Sequence, residues 1–170
     1  MRAFVAIEVD GPAAAAPEHL TLRFLGDVPE SQVPDLIERL RPVAAATPPF
    51  EIELSGVDAF PSRERPRVVW TAVTRGREEA VSLMRRVAEA LRPTVGSPEA
   101  DEPVPHLTLF RVRRPADRER ARRLLLGADP APPPRSVQVR EFVLKESRLT
   151  SEGAVHRTVA RFPLGAAAPA

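Results

Sequence analysis

The chain of 170 residues is 43% hydrophobic and 28% charged, a composition typical of a folded globular domain and unlike that of a disordered chain. Its 25 basic and 23 acidic side chains leave a net charge of +2, and every basic residue except Lys145 is an arginine, whose guanidinium is well shaped to bind phosphate oxygens. The absence of cysteine excludes disulfides, thiolate metal sites and a cysteine nucleophile.

The first half of the chain contains alternating strand and helix patterns. An apolar strand is predicted over Arg2–Val9, and the connection Gly11–Glu18 is too short and too rich in proline at its ends to form a helix. A second strand contains His19–Leu22, and the helical spacing of apolar residues predicts a helix over Ser31–Ala46. The strand pattern Phe50–Leu54 follows it.

The second half repeats this plan and adds one helix. Strand and helix patterns are predicted, in chain order, over Arg67–Val73 (strand), Arg77–Arg92 (helix), His106–Leu109 (strand), Ala116–Leu126 (helix), Ser136–Arg140 (strand) and Val155–Phe162 (strand). The tetrapeptide His-Leu-Thr-Leu occurs in both halves, at residues 19–22 and 106–109. The repeat predicts an α+β fold of two pseudo-symmetric lobes, each a mainly antiparallel sheet with outer helices, which enclose a central cleft. We expect residues 1–170 to form a single domain.

The repeated tetrapeptide carries the candidate chemistry. Because side chains alternate along a strand, His19 and Thr21 share one face, as do His106 and Thr108, and a two-fold relation between the lobes would turn both pairs toward one cleft. Two imidazoles with pKa values of about 6.5 can hold opposite protonation states near neutral pH, as concerted acid–base catalysis requires. Threonine hydroxyls can donate to the non-bridging oxygens of a cyclic phosphodiester. This chemistry needs no metal and no cofactor.

The two motifs resemble the signature of the 2H phosphoesterases, and more narrowly of the RNA 2′,3′-cyclic phosphodiesterases, also known as 2′-5′ RNA ligases. The resemblance spans nearly the whole chain and includes further matches at Met1–Ile7, His19–Gly26, Phe60-Pro61, Arg65–Trp70, Pro105–Arg111 and Ala160–Leu164. It implies hydrolysis of an RNA 2′,3′-cyclic phosphate to a 2′-phosphate, with reversible 2′-5′ ligation as a side activity. It also implies that Arg111 contacts the phosphate. The resemblance favours His106 as the base and His19 as the acid, an assignment that the symmetry of the repeat leaves open.

Other side chains near the motifs are candidates for the site. Arg23 lies at an even spacing from the first histidine, on its predicted face, and is expected either to contact phosphate or to line the rim. Phe110 shares the predicted face of His106 and is a candidate for stacking on a base, whereas Trp70 is expected in the core. The arginines that follow the second motif are interpreted as a solvated helix face rather than an RNA track: Arg113, Arg114, Arg118, Arg120, Arg122 and Arg123.

The chain departs from the family pattern in two places. The family has a helix where only Gly11–Glu18 joins the first strand to the first motif. We therefore expect the outer face of the first sheet, where Leu20 and Leu22 point, to be exposed or covered by a neighbouring chain, while the two His/Thr pairs still face one another. A tyrosine is usual where His156 stands, and we expect His156 to be structural or solvent-facing rather than to line the cleft.

Competing enzyme classes lack their sequence features. The chain has no Gly-x-x-x-x-Gly-Lys loop for ATP, no Gly-x-Ser-x-Gly elbow for a serine hydrolase, and only three widely separated histidines, which make a poor zinc set. The expected partner is RNA with a 2′,3′-cyclic phosphate end, or a cyclic nucleotide. We expect a cytoplasmic protein that does not bind a membrane, and the sequence leaves its oligomeric state open. Two alternatives remain: a non-catalytic module that binds RNA ends, and a 2H phosphodiesterase acting on a small nucleotide such as ADP-ribose cyclic phosphate.

Overall fold

The computed structural model describes residues 1–10, 18–96 and 102–165. Within them, the strands and helices are β1 (Arg2–Val9), β2 (Glu18–Asp27), α1 (Val33–Ala45), β3 (Phe50–Phe60), β4 (Val68–Val73), α2 (Arg77–Val95), β5 (His106–Arg111), α3 (Pro115–Leu125), β6 (Arg135–Val139), β7 (Glu141–Thr150) and β8 (Gly153–Pro163). Every element predicted from the sequence is present, with ends that differ by a few residues. Strand β7 has no counterpart among the elements predicted from the sequence.

The strands form two four-stranded antiparallel sheets, as the sequence predicts. The first sheet has the strand order β2-β1-β7-β8 and the second has the order β5-β4-β3-β6. The motif strands β2 and β5 are thus edge strands in equivalent positions of the two sheets. They lie side by side where the sheets meet, with Cα atoms of the two strands within 8 Å of each other.

The two sheets exchange strands between the halves of the chain. In the first half, β3 follows β2 and α1 but pairs with β4 in the second sheet. In the second half, β7 follows β5, α3 and β6 but pairs with β1 in the first sheet. Each lobe therefore contains strands from both halves, and neither half of the chain forms a lobe alone.

Helix α2 also belongs to one half of the chain and packs against the other. Its residues Leu83, Val87 and Leu91 join the hydrophobic core together with Leu20 and Leu22 of β2, which are 0% and 4% exposed. The expectation of an exposed outer face behind Leu20 and Leu22 is wrong, because a helix from the second half of the chain covers it. The connection predicted to lack a helix, residues 11–17, lies outside the described residues. None of the helices in the described ranges combines the length and the apolar composition that a membrane span requires.

Candidate active site

Each motif presents its histidine and threonine on the face of the sheet that does not pack on the helices. The intervening leucines, Leu20 and Leu107, are buried in the core with 0% and 1% exposure. Side chains alternate along a strand, so the histidine and the threonine of each motif lie on the opposite face, which we call the site face. All four of these side chains are half-buried.

A β-bulge follows the threonine in the second motif. Thr108 pairs with Trp70 and Phe110 pairs with Val69, which leaves Leu109 as an extra residue in β5. An extra residue shifts the alternation of side chains by one position. Beyond the bulge, side chains therefore lie on the face opposite to the one that a regular strand gives them.

This bulge reverses the faces on which a regular strand would place Arg111 and Phe110. Arg111 lies at an odd spacing from His106 and would point away from the site in a regular strand, but the bulge returns it to the site face. Phe110 turns to the other face, where the guanidinium carbon of Arg120 on α3 lies 4.0 Å from its ring centroid. The expectation that Phe110 shares the face of His106 is wrong for this reason.

A bulge at Leu22 shifts β2 in the same way. Arg23 turns toward the helix-covered face, and its Nη2 donates a hydrogen bond to the Gly96 carbonyl at the end of α2, at 3.0 Å. The expectation that Arg23 shares the face of the first histidine is wrong, again because the bulge interrupts the alternation. Phe24 takes the site-face position instead, with 67% exposure and a ring centroid 6.3 Å from that of Phe4.

The His106 ring is oriented by a hydrogen bond and two aromatic rings. Its Nδ1 lies 2.7 Å from the Val104 carbonyl, and its centroid lies 4.9 Å from that of Phe60 and 5.5 Å from that of Trp70. A carbonyl can only accept, so Nδ1 carries the proton and Nε2 of the neutral ring keeps its lone pair. Burial lowers the pKa of His106 and the nearby Arg111 guanidinium lowers it further, against the hydrogen bond to Val104, which raises it. Trp70 is buried, as expected, yet contacts this ring.

The His19 ring lies between an aromatic ring and a second imidazole. Its centroid is 5.0 Å from that of Phe4 and 4.9 Å from that of His156, whose ring meets it edge-on at 73°. Burial, followed by the positive charges of His156 and Lys145, lowers the pKa of His19 to about 4, although Glu8 acts in the opposite direction. At neutral pH the unliganded His19 is therefore uncharged.

His156 is the site residue that sequence reasoning missed. Its side chain is exposed, as expected, but its ring also contacts Phe4 at 5.0 Å and His19, so it borders the site rather than standing apart from it. It reaches this place because β8 pairs with β7 and β7 pairs with β1. No pattern around residue 156 indicates that long-range pairing.

A partly buried ion pair lies beside His19 on the same face. Glu8 pairs across the strands with His19 and accepts hydrogen bonds from Lys145 Nζ at 2.7 Å and Thr158 Oγ1 at 3.2 Å, and Arg161 lies 3.8 Å from its second oxygen. Burial raises the pKa of Glu8, but the Lys145 ammonium and its other donors outweigh burial and hold that pKa below the usual value. Lys145, the only lysine of the chain, is 7% exposed.

An open cavity of about 920 Å³ lies where β2, α2 and the start of β5 meet. Its lining includes Thr21 of the first motif and His106 of the second, together with Arg23, Phe24 and Phe60. The structure thus brings residues of the two motifs to one cavity. The other histidine and threonine of the two motifs, His19 and Thr108, are not among the residues that line it. Nor does any group of three or more His, Asp or Glu side chains within the described ranges form a metal-binding cluster.

A family model described as the 2′-5′ RNA ligase superfamily matches residues 3–149. The chain belongs to the 2′-5′ RNA ligase superfamily. The resemblance predicted from the two His-Leu-Thr-Leu motifs is confirmed, and with it the prediction of an enzyme of this family.

Relatives of the chain are named RNA 2′,3′-cyclic phosphodiesterase. An RNA 2′,3′-cyclic phosphodiesterase of Aquifex aeolicus is 32% identical and aligns with 86% of the chain and 78% of its own length. An RNA 2′,3′-cyclic phosphodiesterase of Archaeoglobus fulgidus is 33% identical, over 95% of the chain and 99% of its own length.

Solved structures share the fold of the superfamily member. The crystal structure of a Thermus thermophilus protein superposes with a TM-score of 0.75 at 26% identity, covering 97% of this chain and 98% of that one. Escherichia coli LigT complexed with 3′-AMP superposes with a TM-score of 0.70 at 23% identity, covering 96% and 97%. The α+β architecture of two antiparallel sheets is confirmed by this agreement.

Proposed function

We propose that the protein hydrolyses 2′,3′-cyclic phosphate at RNA ends to a 2′-phosphate, with His106 as general base and His19 as general acid. The observation that carries the proposal is the Nδ1 hydrogen bond from His106 to the Val104 carbonyl, which leaves Nε2 free to accept a proton. The mirrored place of His19 on the adjacent edge strand, and relatives named RNA 2′,3′-cyclic phosphodiesterase, support it.

The proposed reaction is one in-line displacement at phosphorus. His106 Nε2 takes a proton from water as the water oxygen forms a bond to phosphorus, and the bond from phosphorus to the 3′-oxygen breaks. The imidazolium of His19 protonates the departing 3′-oxygen, which leaves a 2′-phosphate and a 3′-hydroxyl. Thr21 and Thr108 donate to the non-bridging oxygens, and Arg111 offsets the negative charge that develops there. With an RNA 5′-hydroxyl in place of water as the nucleophile, the same steps form a 2′-5′ phosphodiester and release the 3′-hydroxyl, which is 2′-5′ ligation.

Because the pKa values of both histidines are lowered, protonation of His19 in the proposed reaction depends on the bound substrate. Burial lowers the pKa of both rings, so the free enzyme holds few imidazolium ions at neutral pH. A cyclic phosphate carries a negative charge, and an anion beside His19 favours its charged form. In this proposal the substrate itself raises the pKa of its acid, while His106, beside the Arg111 cation, stays neutral.

Alanine substitution of each histidine tests the proposal. His19→Ala and His106→Ala should each lower the turnover of a 2′,3′-cyclic phosphate by at least about 10²-fold, the usual effect of losing a proton-transfer group. Both variants should keep the wild-type circular dichroism spectrum. Leu149→Ala, at an exposed position with 82% exposure, serves as the control and should keep wild-type turnover. Near-wild-type turnover without either histidine would overturn the mechanism, and a wild-type protein that binds RNA ends without turnover would indicate a binding module.

A further inference from the structure

Three arginines surround a second pocket, beyond the end of β5. The pocket has a volume of about 500 Å³ and is lined by Glu64, Arg65, Pro66, Arg67, Val112 and Arg118, and we call it the arginine pocket. Arg65 and Arg67 precede β4, and Arg118 lies on α3. All three arginine side chains are exposed. Its lining therefore carries three positive charges and one negative charge.

Within the described ranges, the arginines of this pocket lack the carboxylate partners that some arginines of the α3 region have. On and beside α3, Arg114, Arg122 and Arg123 form ion pairs with Asp117, Glu119 and Asp129 at 3.4, 2.9 and 2.7 Å. Within the described ranges, no ion pair is formed by Arg65, Arg67 or Arg118, even though Glu64 lies in the same pocket. Three positive charges and a single negative charge leave a net repulsion among the guanidinium groups, and a bound anion relieves that repulsion.

The pocket lies in line with the proposed active site. The backbone N–H of Val112 donates to the Arg67 carbonyl at 2.9 Å, directly after Arg111 pairs with Val68. At strand spacing, Val112 lies on the order of 20 Å along the chain from His106. A single nucleotide whose phosphate lies at His106 is too short to reach that far. Arg111, on the site face, stands between the two sites.

We propose that the arginine pocket binds a backbone phosphate of the RNA strand that carries the cyclic end. This inference rests on the proposed function and specifies its substrate as an RNA end several nucleotides long rather than a free cyclic nucleotide. The guanidinium groups bind the phosphate from the base of β4 and from α3, and Arg111 bridges toward the reacting phosphate. The interpretation of the α3 arginines as one solvated face then applies to Arg122 and Arg123 but not to Arg118.

The experiment compares two double variants that remove equal charge. Arg65→Ala/Arg118→Ala removes two guanidinium groups from the pocket. Arg122→Ala/Arg123→Ala removes two guanidinium groups of α3 that lie outside the pocket and are paired with carboxylates. Each protein is assayed with a 2′,3′-cyclic mononucleotide and with a ten-nucleotide single-stranded RNA ending in a 2′,3′-cyclic phosphate. Binding of the same RNA with a 2′-phosphate end is measured by fluorescence anisotropy at several salt concentrations.

We expect the pocket variant to lose about three- to tenfold in kcat/KM on the RNA and to keep wild-type kcat/KM on the mononucleotide. The slope of log Kd against log salt should fall by about 0.7, the value for one lost phosphate contact on a single strand. The control variant should keep the wild-type kcat/KM on both substrates. Equal losses in both double variants, or a wild-type enzyme without preference for RNA, would overturn the inference. Failure of the proposed function can be distinguished from failure of this inference, because the wild-type protein would then hydrolyse neither substrate.

Discussion

The protonation of His19 is set by side chains from three different strands. Glu8 comes from β1, Lys145 from β7 and His156 from β8; beyond the effect of burial, the charge of a protonated His156 and that of Lys145 lower the pKa of His19, and Glu8 raises it. In the proposed reaction this arrangement keeps His19 neutral until an anion arrives. We therefore predict that His156 acts on the chemistry through His19, as a positioning residue.

Replacing His156 by phenylalanine should raise the pKa of His19. Phenylalanine keeps a flat ring against Phe4 and His19 but removes the imidazolium charge that disfavours a second proton on His19. The His19 pKa should move from about 4 toward the ordinary value of 6.5 without reaching it, because burial is the larger cause and remains. Titration of the histidine ring protons by NMR measures the change. An unchanged His19 pKa in the folded variant would show that His156 exerts no electrostatic effect on it.

At the scale of the element, the two matching bulges decide which residues reach the site. The sequence predicts the strands and the alternation from histidine to threonine, because strand period needs only local pattern. It does not predict the extra residues Leu22 and Leu109, since a bulge depends on the register of the neighbouring strand. The bulges therefore overturn the expected faces of Arg23 and Phe110, and the same shift places Arg111 on the site face. Repetition of the bulge in both halves is a signal visible only once the strands are paired.

The ion pair of Glu8 and Lys145 links β1 to β7 beside His19, and the hydrogen bond from Thr158 to Glu8 adds β8. Glu8→Gln removes the negative charge and leaves the buried Lys145 ammonium without its partner, which should lower the free energy of unfolding by about 2 kcal/mol, less than a fully buried pair because Glu8 is partly exposed. Urea denaturation measures the loss. Glu119→Gln, which breaks the exposed pair with Arg122, is the control and should leave the midpoint unchanged. Equal midpoints for both variants would contradict a structural role for the Glu8 pair.

At the scale of the whole molecule, strand exchange explains what the sequence could and could not reveal. The internal repeat predicts two equivalent sheets and places the motif strands in equivalent positions, and this is confirmed. The repeat does not show that β3 and β7 cross into the other lobe, because β7 carries no distinct motif and its partners lie far away in the chain. The same exchange explains why α2 covers β2, and why the short connection before His19 leaves Leu20 and Leu22 buried. Hydrophobic pattern identifies buried faces but not the element that buries them.

The proposed roles of His106 and His19 determine which phosphate isomer the enzyme forms. Wild-type protein is incubated with a 2′,3′-cyclic nucleotide and with an RNA ending in a 2′,3′-cyclic phosphate, and phosphorus NMR distinguishes a 2′-phosphate from a 3′-phosphate in the product. With His106 activating water and His19 protonating the 3′-oxygen, the RNA end should carry the 2′-phosphate alone. A 3′-phosphate product, or an unchanged cyclic phosphate, would contradict it.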